Sequence, residues 1–516
     1  MSAVPEKERA HLPTVPAAPA APALVALVIA SFAFRLPPLL NARSTNSDAA
    51  VVGLEAMHVL RGEVSPFLWG SGYQTSADSL VAALFFAVLG PSPVVLMLSS
   101  LSLHVLATTL VFRTLQRRLE PWLALLLVLP LVLSPSSVHS YALYPPRQLS
   151  LTLALAAFCA IDRAKVKWLA LGGALATLAV SADPYPMLLL PLATLYALLV
   201  AFASEDARSR RKAILAFAGG AGAGLVPFFV LHRLAGAKSG PMGLTTGMLA
   251  HHWRLLVDEC LPWALSYKVY FARNVMDYAP WDAPAWFRAL GILGALVLGA
   301  LVLYALLAPV RGELRSPVGR LGFVGALTFP LAIAAFLVSV MVMDHFSMRY
   351  LAVLTLMTPF ALAPAAQLLG ARRLGAVLAP HLLASAVAGW VGYGPFVHGP
   401  LPVVETPEVR DDYTLFALLR ARGLRYATAD YWTSYRLTFL FREEIIVVPT
   451  NRAEDRHTPY RRAFESERVF AYVHDPGRSR EDVAAAEREL RAANDHVEKR
   501  TAGGLTVFFV TRPAAP

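Results

Sequence analysis

Asp48 and Glu55 stand seven residues apart in STNSDAAVVGLEAMHVLRGE (44–63), a polar stretch that follows the first oily segment of the chain. That spacing is about two helical turns, so both carboxylates fall on one face of a short helix. Asp48 follows STNS, a run of helix-capping residues, which puts it in the first turn of a helix that runs to Leu60 before Gly62 ends it. There the helix dipole and the unpaired N–H groups favour negative charge, the state needed by a base that takes a proton from a hydroxyl. Glu55, further along the face, would bind substrate hydroxyls or would only keep its helix face wet. The next segment, PFLWGSGYQTSADSLVAALFFAVLG, adds Tyr73, Gln74 and Asp78 at the start of a second helix. A polar, aromatic-lined cleft at a lipid boundary suits a substrate with a greasy tail and a hydrophilic head.

The basic residues expected on the same side are few. Arg147 ends YPPR, Lys268 and Arg273 lie in SYKVYFAR, and Arg349 lies in DHFSMRY at the mouth of an apolar segment. An arginine fork at a membrane face matches phosphate geometry and can stabilise a phosphate leaving group, although arginines also anchor helix ends. HHWRLLVDE (251–259) gathers His251, His252, Asp258 and Glu259, but adjacent helical histidines point about 100° apart and chelate one ion poorly, so no metal ligands are assigned. No cofactor is required by the sequence, while a divalent cation is compatible with it. No phosphate-cradling glycine loop and no dinucleotide fingerprint occurs, which disfavours an energised pump or a nucleotide-sugar enzyme with a soluble core.

The elements that must carry these residues are membrane helices. A chain with 56% hydrophobic and 16% charged residues is too apolar for an ordinary soluble globule. Residues 402–516 hold 18 basic and 18 acidic side chains, so the whole formal excess of +11 lies before them. The excess therefore reports membrane topology, and no nucleic-acid partner is expected. The two cysteines, Cys159 and Cys260, imply neither a disulfide framework nor a zinc site. A span needs roughly 20 apolar residues, and basic clusters gather on the cytoplasmic side. Clusters at 113–118, 162–167, 206–212, 310–320 and 371–373 are reconciled by eleven spans, with the N-terminus inside and the C-terminus outside. In this arrangement 77–89 lies along the outer surface as a juxtamembrane helix.

The expected fold is thus an α-helical polytopic membrane protein with about eleven transmembrane helices, surface helices in its first outer loop, and a small C-terminal extracytoplasmic α/β domain. Residues 1–22 read as a disordered cytoplasmic tail, 23–394 as the transmembrane domain, and 402–516 as the outer domain. The outer domain alternates helical patterns (DYTLFALLRARG, YWTSYRLTFLF, REDVAAAERELRAAN) with strand patterns (LRYATAD, EIIVVPT, RVFAYVHD, LTVFFVTR). Its aromatic cluster Tyr431, Trp432 and Tyr435 reads as packed core in preference to a sugar platform.

These segments resemble the membrane-integral type C glycosyltransferases of the protein-mannosyltransferase-like group. SDAAVVGLEAMHVLRGE resembles that group's acidic first-loop signature. PFLWGSGYQTSADSLVAALFFAVLGPS resembles its aromatic-Gly-Tyr segment and the surface helix closing on GPS. MRYLAVLTLMTP resembles its Arg-Tyr-Leu entry to a late span, and GLRYATADYWTSYRLTFLFREEIIVVPTNRAEDRHTPY looks like the outer domain of a bacterial subgroup. The resemblance implies transfer of a sugar from a polyprenyl-phosphate donor to a hydroxyl of a glycan, lipid or protein acceptor, outside the cytoplasmic (inner) membrane; with one base and a departing lipid phosphate, the transfer is expected to invert the anomeric centre. It implies Asp48 as the catalytic residue. Lipid-modifying relatives carry Lys-Pro where this chain has QTSAD, which leaves the phosphate to Arg147, Arg349 or Arg273; many relatives have Asp-Glu where this chain has Asp48-Ala49. The rival classes are a transporter or flippase for lipid-linked sugars and a non-catalytic binding protein. Transporters place ionisable groups near the bilayer midplane and often show paired halves, neither of which is evident here.

Overall fold

The computed structural model describes residues 20–36, 39, 45–133, 145–235, 243–269, 281–392, 407–477 and 482–513. Leaving aside single turns, the α-helices up to residue 392 are α1 (Ala20–Ala33), α2 (Ser47–Leu60), α3 (Ala77–Leu89), α4 (Pro93–Leu115), α5 (Pro121–Val132), α6 (Gln148–Ile161), α7 (Val166–Ala182), α8 (Leu189–Phe202), α9 (Ala207–Ala235), α10 (Leu249–Leu255), α11 (Ala285–Leu306), α12 (Pro317–Val338), α13 (Ala352–Ala361) and α14 (Ala363–Gly392). Several begin as their sequences dictate. Ser92 caps α4 and Ser316 caps α12, each followed by a proline at a first-turn position that needs no N–H donor. Asp206 accepts from the N–H groups of Arg208 at 3.2 Å and Ser209 at 2.9 Å, which draws the basic run at 206–212 into the start of α9.

Among the described residues, six helices are long and apolar enough to cross a membrane: α4, α8 with the turn that precedes it, α9, α11, α12 and α14. The other expected spans coincide with the shorter helices α1, α5, α6, α7 and α13. α14 breaks at Gly370, whose φ of 68° and ψ of 173° are helix-ending. The break falls just before the basic 371–373, where the sequence separates the last two spans. The bundle core runs through Phe112, Phe158, Tyr196, Phe336 and Phe360. α2 and α3, the two helices that follow α1, pack elsewhere.

They pack on the C-terminal domain, which consists of α15 (Pro407–Ala421), β1 (Tyr426–Ala429), α16 (Tyr431–Leu440), β2 (Ile446–Pro449), α17 (Thr458–Ser466), β3 (Val469–His474), α18 (Val483–Ala493), β4 (His496–Ala502) and β5 (Leu505–Thr511). Its sheet has the order β2-β1-β3-β5-β4, with β2, β1 and β3 parallel and β5 antiparallel to both of its neighbours. Alternation along the strands feeds two cores. Val473, Val507 and Phe509 face Leu415 and Leu419 of α15. Tyr472, Phe508 and Val510 face the other way, into a cluster shared by Tyr435 and Phe439 of α16 and by Ala49, Val52 and Leu54 of α2. The C-terminal domain is thus joined to the loop that holds α2 and α3 through a common apolar core. α2 approaches α16 closely because Gly53 has no side chain; a Cβ there would lie 2.6 Å from the Phe439 ring.

α17 and β4 are additions to the sequence reading. β4 is an edge strand with only Val497 and Ala502 buried, and HVEKRTA therefore carries no run of apolar residues. α17 is a short, charged helix that turns Tyr460 and Phe464 inward.

Candidate functional site

The site grows from the N-terminus of α2. Asn46 caps it, accepting from Ala49 N at 2.8 Å, so Asp48 falls in the first turn as its sequence dictates. The Asp48 side chain is 47% exposed. The C-terminal domain holds one of its oxygens. Tyr431 Oη donates to Asp48 Oδ1 at 2.5 Å, and Arg456 Nη2 lies 3.9 Å from the same oxygen. Burial and the Asp48 charge push the Tyr431 phenol well above its usual range, which keeps it a proton donor. Arg456 also donates from Nε to Tyr431 Oη at 3.2 Å.

A second cluster forms where α7 ends. Asp183 receives Gln74 Nε2 at 2.5 Å, Tyr185 N at 2.8 Å, and Arg147 Nε at 3.3 Å. The Arg147 guanidinium stands over the Tyr185 ring, and the Tyr185 hydroxyl donates to the backbone carbonyl of Arg349. Arg349 in turn donates to the Tyr350 hydroxyl at 3.2 Å. Burial raises the Tyr73 phenol, against the charges of Arg147 and Arg456, which act to lower it.

Of the residues singled out from the sequence, Gln74, Arg147 and Arg349 therefore meet in the second cluster, while Asp48 stands in the first. Asp78 is buried and accepts from the backbone N–H groups of Arg147 at 3.1 Å and Leu149 at 3.2 Å, so it caps α6 from outside and fixes the arginine's backbone. Burial pushes its carboxyl up to about 6 against those two bonds. Arg273 lies outside the described residues, as do most of the N-terminal tail and the turn at 134–144. Lys268 bonds Glu259 at 2.6 Å. His252 turns its Nδ1 to Leu337 O at 2.8 Å, and among the described residues no group of three or more His, Cys, Asp or Glu is placed to hold a metal.

Glu55 is fully buried and its face of α2 is dry. It accepts from Ser76 at 2.8 Å and Ser79 at 2.5 Å, and so ties α2 to α3. Burial pushes its carboxyl up to about 7 from 4.5, with the two serines and His58 only partly holding it down. A carboxyl with a folded pKa above its unfolded value binds extra protons in the fold, so stability falls as pH rises between those two values. Glu55→Gln should melt close to the wild type near pH 5 and above it near pH 8, as read by thermal unfolding in detergent. A difference that stays constant over that range contradicts the assignment.

Beyond Glu55, His58 joins the loop to the outer domain through Glu443 at 2.7 Å and Tyr460 at 3.2 Å. Burial would raise Glu443, but those bonds and the charges of His58 and Arg61 hold it at about 2. Within the bundle, an apolar groove of about 330 Å³ opens beside Leu261, Tyr267, Ile292, Leu296, Phe329 and Ile333.

The sequence reading missed Asp183, Tyr185 and Arg456 as members of these clusters. Asp183 carried a signal: it is an acid at the C-terminal end of an apolar helix, in SADPYP. Arg456 carried none, being one of many charges in NRAEDRHTPY.

The sequence matches no protein-family model and no curated protein. Among solved structures, the chain superposes on ArnT from Cupriavidus metallidurans bound to undecaprenyl phosphate, with a TM-score of 0.57 and 11% identity over 95% of this chain and 97% of that one. The apo state of the same protein gives a TM-score of 0.50 at 12% identity with the same coverage. The Archaeoglobus fulgidus oligosaccharyltransferase gives 0.48 at 11% identity, over 83% of this chain and 64% of that one. At such identity the likeness is one of fold: this chain is a polytopic membrane protein that shares the architecture of ArnT over nearly its whole length.

Proposed function

We propose that this protein transfers a sugar from a polyprenyl-phosphate-linked donor to an acceptor hydroxyl on the outer side of the cytoplasmic membrane, with inversion and with Asp48 as the base. The observation that carries the reading is the half-exposed Asp48 carboxylate at a helix N-terminus; the loop that follows this helix also reaches the cluster that holds Arg147 and Arg349, through the bond of Gln74 to Asp183. Asp48 takes the proton as the acceptor oxygen attacks the anomeric carbon. The bond from that carbon to the phosphate oxygen breaks, and the lipid phosphate leaves with the electron pair towards Arg147 and Arg349, whose charges stabilise it. Gln74, Asp78 and Asp183 hold Arg147 in place, and Glu55 holds the loop helices together. The apolar groove offers a surface for a prenyl tail. The fold of a protein solved with undecaprenyl phosphate supports the donor class.

The N-terminus is placed in the cytoplasm and the outer domain outside it, by the distribution of basic clusters. The test is to incubate the purified protein with a panel of labelled polyprenyl-phosphate sugars and membrane extract as acceptor. Release of polyprenyl phosphate in step with sugar transfer is the expected result. Donor moved across proteoliposomes intact would indicate a flippase, and donor bound but unchanged would indicate a binding protein.

A further inference from the structure

The outer domain approaches Asp48 with two side chains, and both address one oxygen. Tyr431 Oη donates to Oδ1 at 2.5 Å, and the Arg456 guanidinium stands 3.9 Å from that oxygen. Among the described residues Oδ2 takes no hydrogen bond, and the side chain is open to solvent. A carboxylate fixed through one oxygen has a defined direction for the other.

Arg456 is itself held from three sides. Its backbone N–H donates to Tyr435 Oη at 2.6 Å, its Nε to Tyr431 Oη at 3.2 Å, and its Nη1 to Gly70 O at 3.4 Å. Gly70 has a φ of +70°, and a Cβ there would lie 2.3 Å from Arg456 Cδ, so only glycine lets the first-loop turn close over the arginine. The contact is therefore a fitted junction between the first loop and the outer domain.

Two roles are open to an arginine beside a base. It could receive the phosphate, or it could orient the carboxylate. In an in-line displacement the attacking and leaving oxygens lie on opposite faces of the anomeric carbon. A group in reach of Asp48 sits on the attacking side, away from the phosphate. We propose that Tyr431 and Arg456 are positioning residues for glycosyl transfer: they clamp Asp48 Oδ1, aim Oδ2 at the acceptor hydroxyl, and make turnover depend on docking of the outer domain against the first loop. This rests on the reading of Asp48 as the base. The proton of the acceptor hydroxyl passes to Oδ2 as the new glycosidic bond forms and the lipid phosphate departs.

The test compares Tyr431→Phe, Arg456→Gln, Arg456→Lys and Asp48→Asn in the reconstituted transfer assay, with thermal unfolding alongside. Tyr431→Phe keeps the ring in its core and removes only the hydroxyl. It should lower kcat about 10- to 100-fold, the scale of a misplaced catalytic group, with donor KM within about twofold of wild type. Arg456→Gln, on the more exposed side, should act in the same way and provides the readout if Tyr431→Phe does not assemble. Arg456→Lys should recover part of the rate, and Tyr431→Phe should add nothing to Asp48→Asn. Wild-type kcat in Tyr431→Phe and Arg456→Gln, or a loss carried by donor KM, overturns the proposal while an inactive Asp48→Asn leaves the base standing. Transfer at the wild-type rate by Asp48→Asn overturns the base itself, and the clamp with it.

Discussion

Asp48→Asn should yield an assembled protein that transfers sugar about 100- to 10,000-fold more slowly than wild type, the range general-base catalysis supplies. Asparagine keeps the size of the side chain and an oxygen that can accept from Tyr431 Oη, so the 2.5 Å contact to the outer domain survives. It also suits the first turn of a helix, and loss of the charge there costs only about 0.3–1 kcal/mol. What it cannot do is accept a proton at neutral pH. The fall should appear in kcat and kcat/KM together, because the interaction removed is one made in the transition state. The check is the transfer rate of purified protein at saturating donor, with an unfolding curve measured on the same sample. A variant with a wild-type rate shows that another group takes the proton; a variant that unfolds early shows that Asp48 is structural.

The second large effect belongs to a residue far from Asp48 in sequence. Asp412 on α15 and Arg436 on α16 form a fully buried ion pair, with one arm of the fork at 3.0 Å and Asp475 3.8 Å from the same guanidinium nitrogen. Removing one partner leaves the other charge buried and undercompensated, which costs about 3–5 kcal/mol. Asp412→Ala should therefore lower the unfolding temperature sharply. It should also reach the site: the Arg436 backbone N–H donates to Ser47 Oγ at 3.2 Å, one residue before Asp48, and Tyr431 begins the same helix. Transfer activity should fall with domain stability. The double variant Asp412→Leu with Arg436→Met, which removes both charges and keeps volume, should recover most of the lost stability. If Asp412→Ala melts with the wild type, the pair contributes little and α16 is held by its apolar face alone.

The architecture was largely legible because membrane helices and core strands announce themselves by composition. The described parts of the apolar segments are mostly helical, six of them at membrane-spanning length, and the Gly370 break falls where a basic cluster had to separate two spans. β4 and α17 escaped because an edge strand and a short surface helix bury too few side chains to impose a period. In the site, Asp48 was legible from its capping run, and Arg147 and Arg349 from being rare charges at the ends of apolar segments. Glu55 illustrates the limit: its position two turns beyond Asp48 suggested an exposed partner, but α3 covers that face and turns it into a buried acceptor of two serines. Asp183 and Arg456 depend on long-range contacts, with Gln74 and Arg147 in one case and with Gly70 and Tyr431 in the other. Pattern along the chain has no access to those pairings.

The side of the membrane on which Asp48 lies can be measured directly. Cys159 and Cys260 are both buried, so a single cysteine introduced at the exposed Val64, four residues after α2, can be probed with a membrane-impermeant maleimide in intact cells, beside a second variant at the exposed Lys165. Labelling of Val64→Cys from outside, and of Lys165→Cys only after permeabilisation, is the expected result. The reverse pattern would put the carboxylate and its arginines on the inner face, where the proposed transfer from an outward-facing lipid phosphate has no substrate.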